Sequence, residues 1–248
     1  MQLFLTSSPT GDLDGAWRCR GFDTRNDFQW VLRSHWPENA RCLMITAFPE
    51  NLHASEEMTG FFRNAALESG LQVSRFDLWD SRTLPEEARP EDYDVIFLGG
   101  GHVPTQNAFL ARLGLREKLR SFAGVIVGIS AGTMNCADEV YAQPEEPGEA
   151  TDPEYRRFLP GLGLTKINVL PHLQLVRHEV KENGLRLFED ITLPDSAGRE
   201  FLAMPDGSWV LQSPESTVIH GEAWLVKDGQ MSRVCENGHT LEYGEWNK

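Results

Sequence analysis

Residues 124–138 read Gly-Val-Ile-Val-Gly-Ile-Ser-Ala-Gly-Thr-Met-Asn-Cys-Ala-Asp. Val125–Val127 is an apolar run with no polar alternation, which predicts a strand buried on both faces. Gly128-Ile129-Ser130-Ala131-Gly132 follows at once, and Thr133–Ala137 continues with helical character. A Gly-x-Ser-x-Gly between a strand and a helix is the pattern of a nucleophile elbow. The glycines let the chain turn sharply without a Cβ clash, so the serine hydroxyl stands above the sheet at a helix N-terminus. There the helix dipole and the Ala131 N–H can stabilise a developing oxyanion. A tight turn with a capping serine would use the same residues, and the pattern recurs by chance. The flanking strand and helix are what favour chemistry.

Working outward, similar units recur. Arg41–Phe48 is an apolar run ending at Pro49, and Leu71–Phe76 and Tyr93–Leu98 are further strand candidates, as is Leu3–Thr6. Amphipathic stretches lie between them. Asn26–His35 carries Phe28, Val31 and Leu32 at helical spacing, and Gln106–Leu113 and Arg116–Phe122 have helical patterns. Ser55–Ser69 predicts a helix with Ser55 as its N-cap and Gly70 just beyond its end. Apolar strands alternating with helices predict an α/β fold of three layers, with a mainly parallel sheet covered on both sides. After residue 195 the pattern changes to short strands, 200–203, 208–212, 216–220, 223–226, 231–234 and 240–243, with Pro-Asp-Gly, Lys-Asp-Gly and Glu-Asn-Gly turns among them. These are expected to extend the sheet as antiparallel strands within one domain spanning residues 1–248. The longest loop candidate is Gln143–Arg157, and loops of that length in compact domains are often functional.

Two more strand ends carry chemistry-bearing residues. Leu98-Gly99-Gly100-Gly101-His102 closes an apolar strand, and its glycines permit close approach of backbone N–H groups to a ligand. Its spacing fits neither common nucleotide-binding glycine motif. A serine nucleophile needs a base and a group to orient that base. Of the seven histidines, His172 stands out in Ile167-Asn168-Val169-Leu170-Pro171-His172, at the end of a β-like run. His102, beside the glycines, is its rival. Asp206 lies in Ala203-Met204-Pro205-Asp206-Gly207, which alone is an ordinary turn signature.

The 23 basic and 37 acidic residues give a net charge of −14. Such a surface repels phosphate backbones and anionic lipid heads, so neither nucleic acid nor a membrane is an expected partner. Cys19, Cys42, Cys136 and Cys235 are far apart with no Cys-x-x-Cys pair, which argues against a zinc site and for free thiols in a reducing compartment. The first residues lack a basic leader, and no apolar stretch nears the ~20 residues of a membrane span. The cytoplasm is the expected location.

The stretches RCLMITAF (41–48), DVIFLGGGHVPTQN (94–107), GVIVGISAGTMNCAD (124–138), GLGLTKINVLPHL (161–173) and FLAMPDGSWV (201–210) together carry a resemblance. In motif and order they resemble the serine-peptidase family of aspartyl dipeptidase (peptidase E) and cyanophycinase. That family has the class I glutamine amidotransferase-like fold, with serine where amidotransferases carry cysteine. The resemblance implies Ser130 as nucleophile, His172 as base, and the Gly101 and Ala131 N–H groups as oxyanion donors. It matches Asp206 to the acid, which is glutamate in aspartyl dipeptidase; the shorter side chain leaves Glu200 and Asp138 as rival acids. It also implies a peptide or related amide as substrate, with no metal and no organic cofactor.

Specificity is read less directly. Gly100, His102, Arg177 and Lys181 are candidate substrate-binding residues, although surface charge on a helix is the stronger reading of Arg177 and Lys181. Ile129 stands where the family carries a tryptophan-type residue, which implies a changed pocket. The acidic segment from Asp138 to Glu154 is either a solvated loop or a lid that disfavours acidic substrates or attracts an amino group. Partners are expected to be a small peptide or amide substrate, with a homodimer left open. An esterase or amidase on non-peptide substrates and a non-catalytic binding protein of the same fold are the rival functions.

Overall fold

The computed structural model describes residues 1–10 and 21–247; Cys19 lies outside them. In chain order the strands are β1 (Gln2–Thr6), β2 (Ala40–Ile45), β3 (Val73–Trp79), β4 (Val95–Leu98), β5 (Val125–Ile129), β6 (Glu139–Tyr141) and β7 (Phe158–Pro160). They continue with β8 (Asn168–Leu170), β9 (Glu200–Ala203), β10 (Trp209–Gln212), β11 (Thr217–His220), β12 (Ala223–Lys227), β13 (Gln230–Cys235) and β14 (Thr240–Glu242). The helices are α1 (Phe28–Ser34), α2 (Leu52–Glu68), α3 (Val103–Arg112), α4 (Leu115–Lys118), α5 (Ala131–Asn135), α6 (Leu173–Val176) and α7 (Leu193–Asp195).

The main sheet has the order β14-β11-β10-β1-β5-β4-β2-β3. From β1 to β3 every neighbouring pair is parallel, whereas β10, β11 and β14 are added antiparallel. Side chains alternate between two cores. Leu43, Ile45, Ile96, Leu98 and Ile126 meet Phe109, Leu110 and Leu115 from α3 and α4 on one face. Cys42, Met44, Val95, Phe97, Val125 and Val127 meet Phe28, Leu32, Phe62 and Ala65 from α1 and α2 on the other. Both faces of β4 and β5 are buried, which is why those strands read as unbroken apolar runs. The expected three-layer α/β architecture is present.

The C-terminal strands divide between two sheets, which corrects the expectation that all would extend the first. β10, β11 and β14 join the main sheet, while β9, β12 and β13 form a second, four-stranded sheet with β8, in the order β13-β12-β9-β8. Leu202 and Val169 of this small sheet share the core of Leu3 and Val210. Phe201, Ala203, Val226 and Leu170 point the other way, into a third core with Ala131, Met134 and Val140. Short hairpin strands with Gly turns carry no information about which sheet they join, so the division is tertiary.

Helix α2 starts earlier than its sequence pattern indicates. Asn51, not Ser55, is its N-cap, and the Asn51 side chain accepts the Ala54 N–H at 3.1 Å. Ser55 is buried one turn in, and its hydroxyl bonds Thr46 Oγ1 and Phe48 O, each at 2.9 Å. The acidic segment 143–157 is the connection of the β6–β7 hairpin, closed by Ala142 N–H donating to Arg157 O at 2.7 Å. Among the described residues no helix is long and apolar enough to cross a membrane.

Candidate active site

The elbow is fixed by close packing that only glycine allows. A Cβ on Gly132 would lie 2.1 Å from the Leu98 carbonyl oxygen, and one on Gly128 would lie 2.8 Å from Thr133 Cα. Ser130 takes the unusual conformation φ 50°, ψ −110° at the N-terminus of α5. A non-glycine residue in that region costs on the order of 1–3 kcal/mol and persists because its surroundings hold it. The holding is done by β1. Ser130 N–H donates to Thr6 O at 3.1 Å, Thr133 Oγ1 donates to Thr6 O at 2.8 Å, and Thr6 N–H donates to Thr133 Oγ1 at 2.9 Å.

His172 and Asp206 arrive from the small sheet. β8 and β9 are parallel with Leu170 opposite Ala203, so the residues that follow them leave the sheet side by side. Leu173 N–H donates to Met204 O at 3.2 Å and Met204 N–H to Leu170 O at 2.9 Å. His172 and Asp206 are thereby adjacent, and the chain passes from Asp206 into β10 of the main sheet. His172 Nδ1 lies 2.7 Å from Asp206 Oδ1, and His172 Nε2 lies 2.8 Å from Ser130 Oγ. Burial acts to raise the Asp206 pKa, but hydrogen bonds from His172, Ser7 and Gln174 and the field of His172 outweigh it, leaving it below the ordinary value. The carboxylate is held ionised, as an imidazolium partner must be.

Gly101 has φ 144°, and a Cβ there would meet Phe48 Cζ at 2.6 Å and Ala47 Cβ at 2.8 Å. The neighbouring Gly100 faces Ser130, since a Cβ on it would lie 3.4 Å from Ser130 Cβ. Gln106 Nε2 donates to Gly99 O at 2.8 Å and anchors the glycine run. The Ala131 N–H opens α5 and so has no acceptor within the helix.

The remaining sequence candidates sit elsewhere. His102 is tied by Nε2 to Glu149 Oε1 at 2.9 Å and by Nδ1 to Thr105 Oγ1 at 2.7 Å, so it is His172 that the fold brings to Ser130. The Glu149 contact straps the acidic connection to the end of the glycine run, and Glu149 Oε2 also accepts the N–H groups of Glu145 and Glu146. Lys181 bonds Glu179 at 2.6 Å and Glu145 O at 3.2 Å, which makes it a tether of the same segment. Arg177 is exposed and lies 5.7 Å from the Trp224 ring centre, as does Arg233. The rival acids are engaged by cations. Glu200 pairs with Lys227 at 2.6 Å, and Asp138 pairs with Lys166 and Arg116, which hold its carboxyl at about 2.

Cys42, Cys136 and Cys235 are free and buried. Burial, with the field of Asp94, pushes the Cys42 thiol up to about 12, and burial raises Cys136 and Cys235 as well. None of these three offers a thiolate near neutral pH. Among the described residues no cluster of three or more His, Cys, Asp or Glu side chains could hold a metal ion. Two residues escaped the sequence reading. Ser7 donates to Asp206 Oδ1 at 2.6 Å, and Gln174 Nε2 donates to Asp206 Oδ2 at 2.7 Å. The one available hint for Ser7 was its place just beyond a strand that joins the parallel sheet, where α/β sites gather.

Comparison with known proteins agrees with this architecture. The chain is 27% identical over 221 residues to peptidase E of Streptomyces coelicolor (strain ATCC BAA-471 / A3(2) / M145), covering 83% of this chain and 82% of that relative. Its fold matches the crystal structure of a peptidase from an acI-B1 Actinobacterium with a TM-score of 0.62 at 16% identity, covering 98% of this chain and 96% of the other. The family model for peptidase family S51 matches residues 42–219, from β2 to β11. Because that match spans well over half of the chain, the protein belongs to peptidase family S51 and is a peptidase E-like serine peptidase.

Proposed function

We propose that the protein hydrolyses a peptide or related amide bond of a small substrate, as a dipeptidase or exopeptidase acting through Ser130, His172 and Asp206. The observation that carries this reading is the continuous chain of hydrogen-bond distances from Ser130 Oγ to His172 (2.8 Å) and from His172 to Asp206 (2.7 Å). His172 Nε2 takes the Ser130 proton as Oγ attacks the carbonyl carbon. The Gly101 and Ala131 N–H groups receive the oxyanion. Imidazolium His172 then gives its proton to the leaving amine, and the C–N bond breaks to leave an acyl-serine. Water, losing a proton to the same nitrogen, attacks the ester, and Ser130 leaves with that proton. Asp206 keeps the imidazole in the tautomer with hydrogen on Nδ1 and stabilises its charge. No step calls on a metal or an organic cofactor.

The decisive test uses a fluorophosphonate probe followed by a dipeptide library varied at the N-terminal residue. Labelling is expected at Ser130 alone, with at least one dipeptide cleaved and cleavage blocked by the probe. An unlabelled Ser130 in folded protein, or cleavage that persists after full labelling, overturns the proposal.

A further inference from the structure

We infer that Ser7 is a positioning residue of the hydrolytic machinery, joining the backbone of the base to the carboxylate of the acid. The inference rests on the triad reading above. Ser7 is fully buried. Its hydroxyl oxygen accepts the His172 N–H at 2.8 Å, while its proton goes to Asp206 Oδ1 at 2.6 Å. That is the same oxygen that faces His172 Nδ1 at 2.7 Å. A buried serine with a purely structural task is satisfied by any nearby carbonyl. Here both polar functions are directed at the two residues that must hold the imidazole.

The sheet explains how Ser7 reaches both. β1 lies between β5 and β10, with Thr6 opposite Ile129 on one side and Trp209 on the other. One residue further, Ser7 is level with Ser130 and alongside the turn that carries Asp206. His172 adopts a left-handed conformation (φ 56°, ψ 37°), which is uncommon for a residue with a side chain. The bond from its N–H to Ser7 fixes the root of the ring in that conformation. Gln174 also bonds Asp206, but it is exposed, so water can replace it. Water has no such access to Ser7, and a missing hydroxyl there leaves the His172 N–H without an acceptor.

The test is kcat per active site, titrated with the fluorophosphonate, for Ser7→Ala. A fall of about 10- to 100-fold is expected, the size of a lost hydrogen bond to a charged group. KM should stay within about twofold, because a misplaced imidazole acts on the transition state. The labelling rate of Ser130 should fall with kcat, and Ser7→Thr, which keeps the hydroxyl, should recover most of the loss. A kcat per site within about twofold of wild type, with only the melting temperature lowered, overturns the inference. Where Ser7→Ala does not fold, Ser7→Thr is compared with Ser7→Cys, a far weaker donor, and equal kcat values overturn it. Ser130→Ala and His172→Ala are measured alongside. If either keeps wild-type turnover, the triad reading itself has failed. If both are inactive while Ser7→Ala turns over normally, only the role of Ser7 falls.

Discussion

The two halves of the proposed catalytic constellation are built in opposite ways. The elbow is local: β5, Ser130 and α5, with the two glycines among them, lie within residues 125–135, and packing against Leu98 and Thr133 forces the turn. The arm that carries His172 and Asp206 is assembled from distant pieces, through the parallel pairing of β8 with β9 and a crossing between sheets. Local packing gives Ser130 a position that tolerates little variation. A tertiary pairing sets His172 and Asp206, which depend on long-range bonds such as that from Ser7, 199 residues before Asp206.

The largest effect is expected where the local half is deleted. Ser130→Ala should reduce kcat by about 10⁶-fold, the loss found when another serine protease loses its nucleophile, with the fold retained by circular dichroism. Alanine also removes the atom to which His172 Nε2 bonds, so the arm can be examined free of its partner.

Breaking the arm should cost less. Asp206→Asn leaves the elbow and the oxyanion donors intact, and a loss of roughly 10⁴-fold in kcat is the reference for that change in another protease. Steady-state kinetics should place the loss in kcat and not in KM. Glu200→Gln and Asp138→Asn, which touch ion pairs elsewhere, should turn over like wild type; a collapse in either would move the acid.

Gly132→Ala separates packing from chemistry. The added methyl meets Leu98 O, and overpacking of this kind costs about 1–3 kcal/mol or more. Denaturant unfolding should show the lost stability, and Ser130 labelling should slow although no reacting group has changed.

The smallest effect concerns acid. His220 is stacked on Trp209 at 3.8 Å, and burial lowers its pKa to about 4. The folded protein favours the neutral ring, so this contribution to stability is complete above the unfolded value of ~6.5 and is lost as pH falls toward 4. Asp206, also depressed, adds a loss only below the ordinary carboxylate value of ~3.9. Urea unfolding at pH 7 and pH 5 should therefore show a loss that His220→Phe reduces and Asp206→Asn leaves unchanged. None of Thr6, Ser130 and Thr133 titrates in this range, so the loss in mild acid belongs to the β10–β11 region of the main sheet and not to the elbow.

The same contrast explains what the sequence revealed. Ser130, Gly128 and Gly132 were legible because strand, turn and helix signals coincide there. The parallel core was legible because β2, β4 and β5 are apolar on both faces. His172 and Asp206 followed from family resemblance, since Pro-His and Pro-Asp-Gly are each ordinary at a strand end. Ser7 and the Glu149–His102 strap were hidden, because each depends on a pairing between residues far apart in the chain. The small sheet was hidden for the same reason: nothing in β9, β12 and β13 marks them as belonging beside β8 and not beside β11.

The crossing of the chain at Asp206 has a mechanical consequence. His172 and Asp206 ride on neighbouring strands of one sheet, so a rigid tilt of that sheet carries both together and leaves the imidazole–carboxylate spacing unchanged. The coordinate that such a tilt alters is the gap between the imidazole and the serine hydroxyl. In the proposed triad that gap is the contact that joins the two sheets, and the end of β1, bonded to Ser130 and Thr133 through Thr6 and to His172 and Asp206 through Ser7, spans it from below.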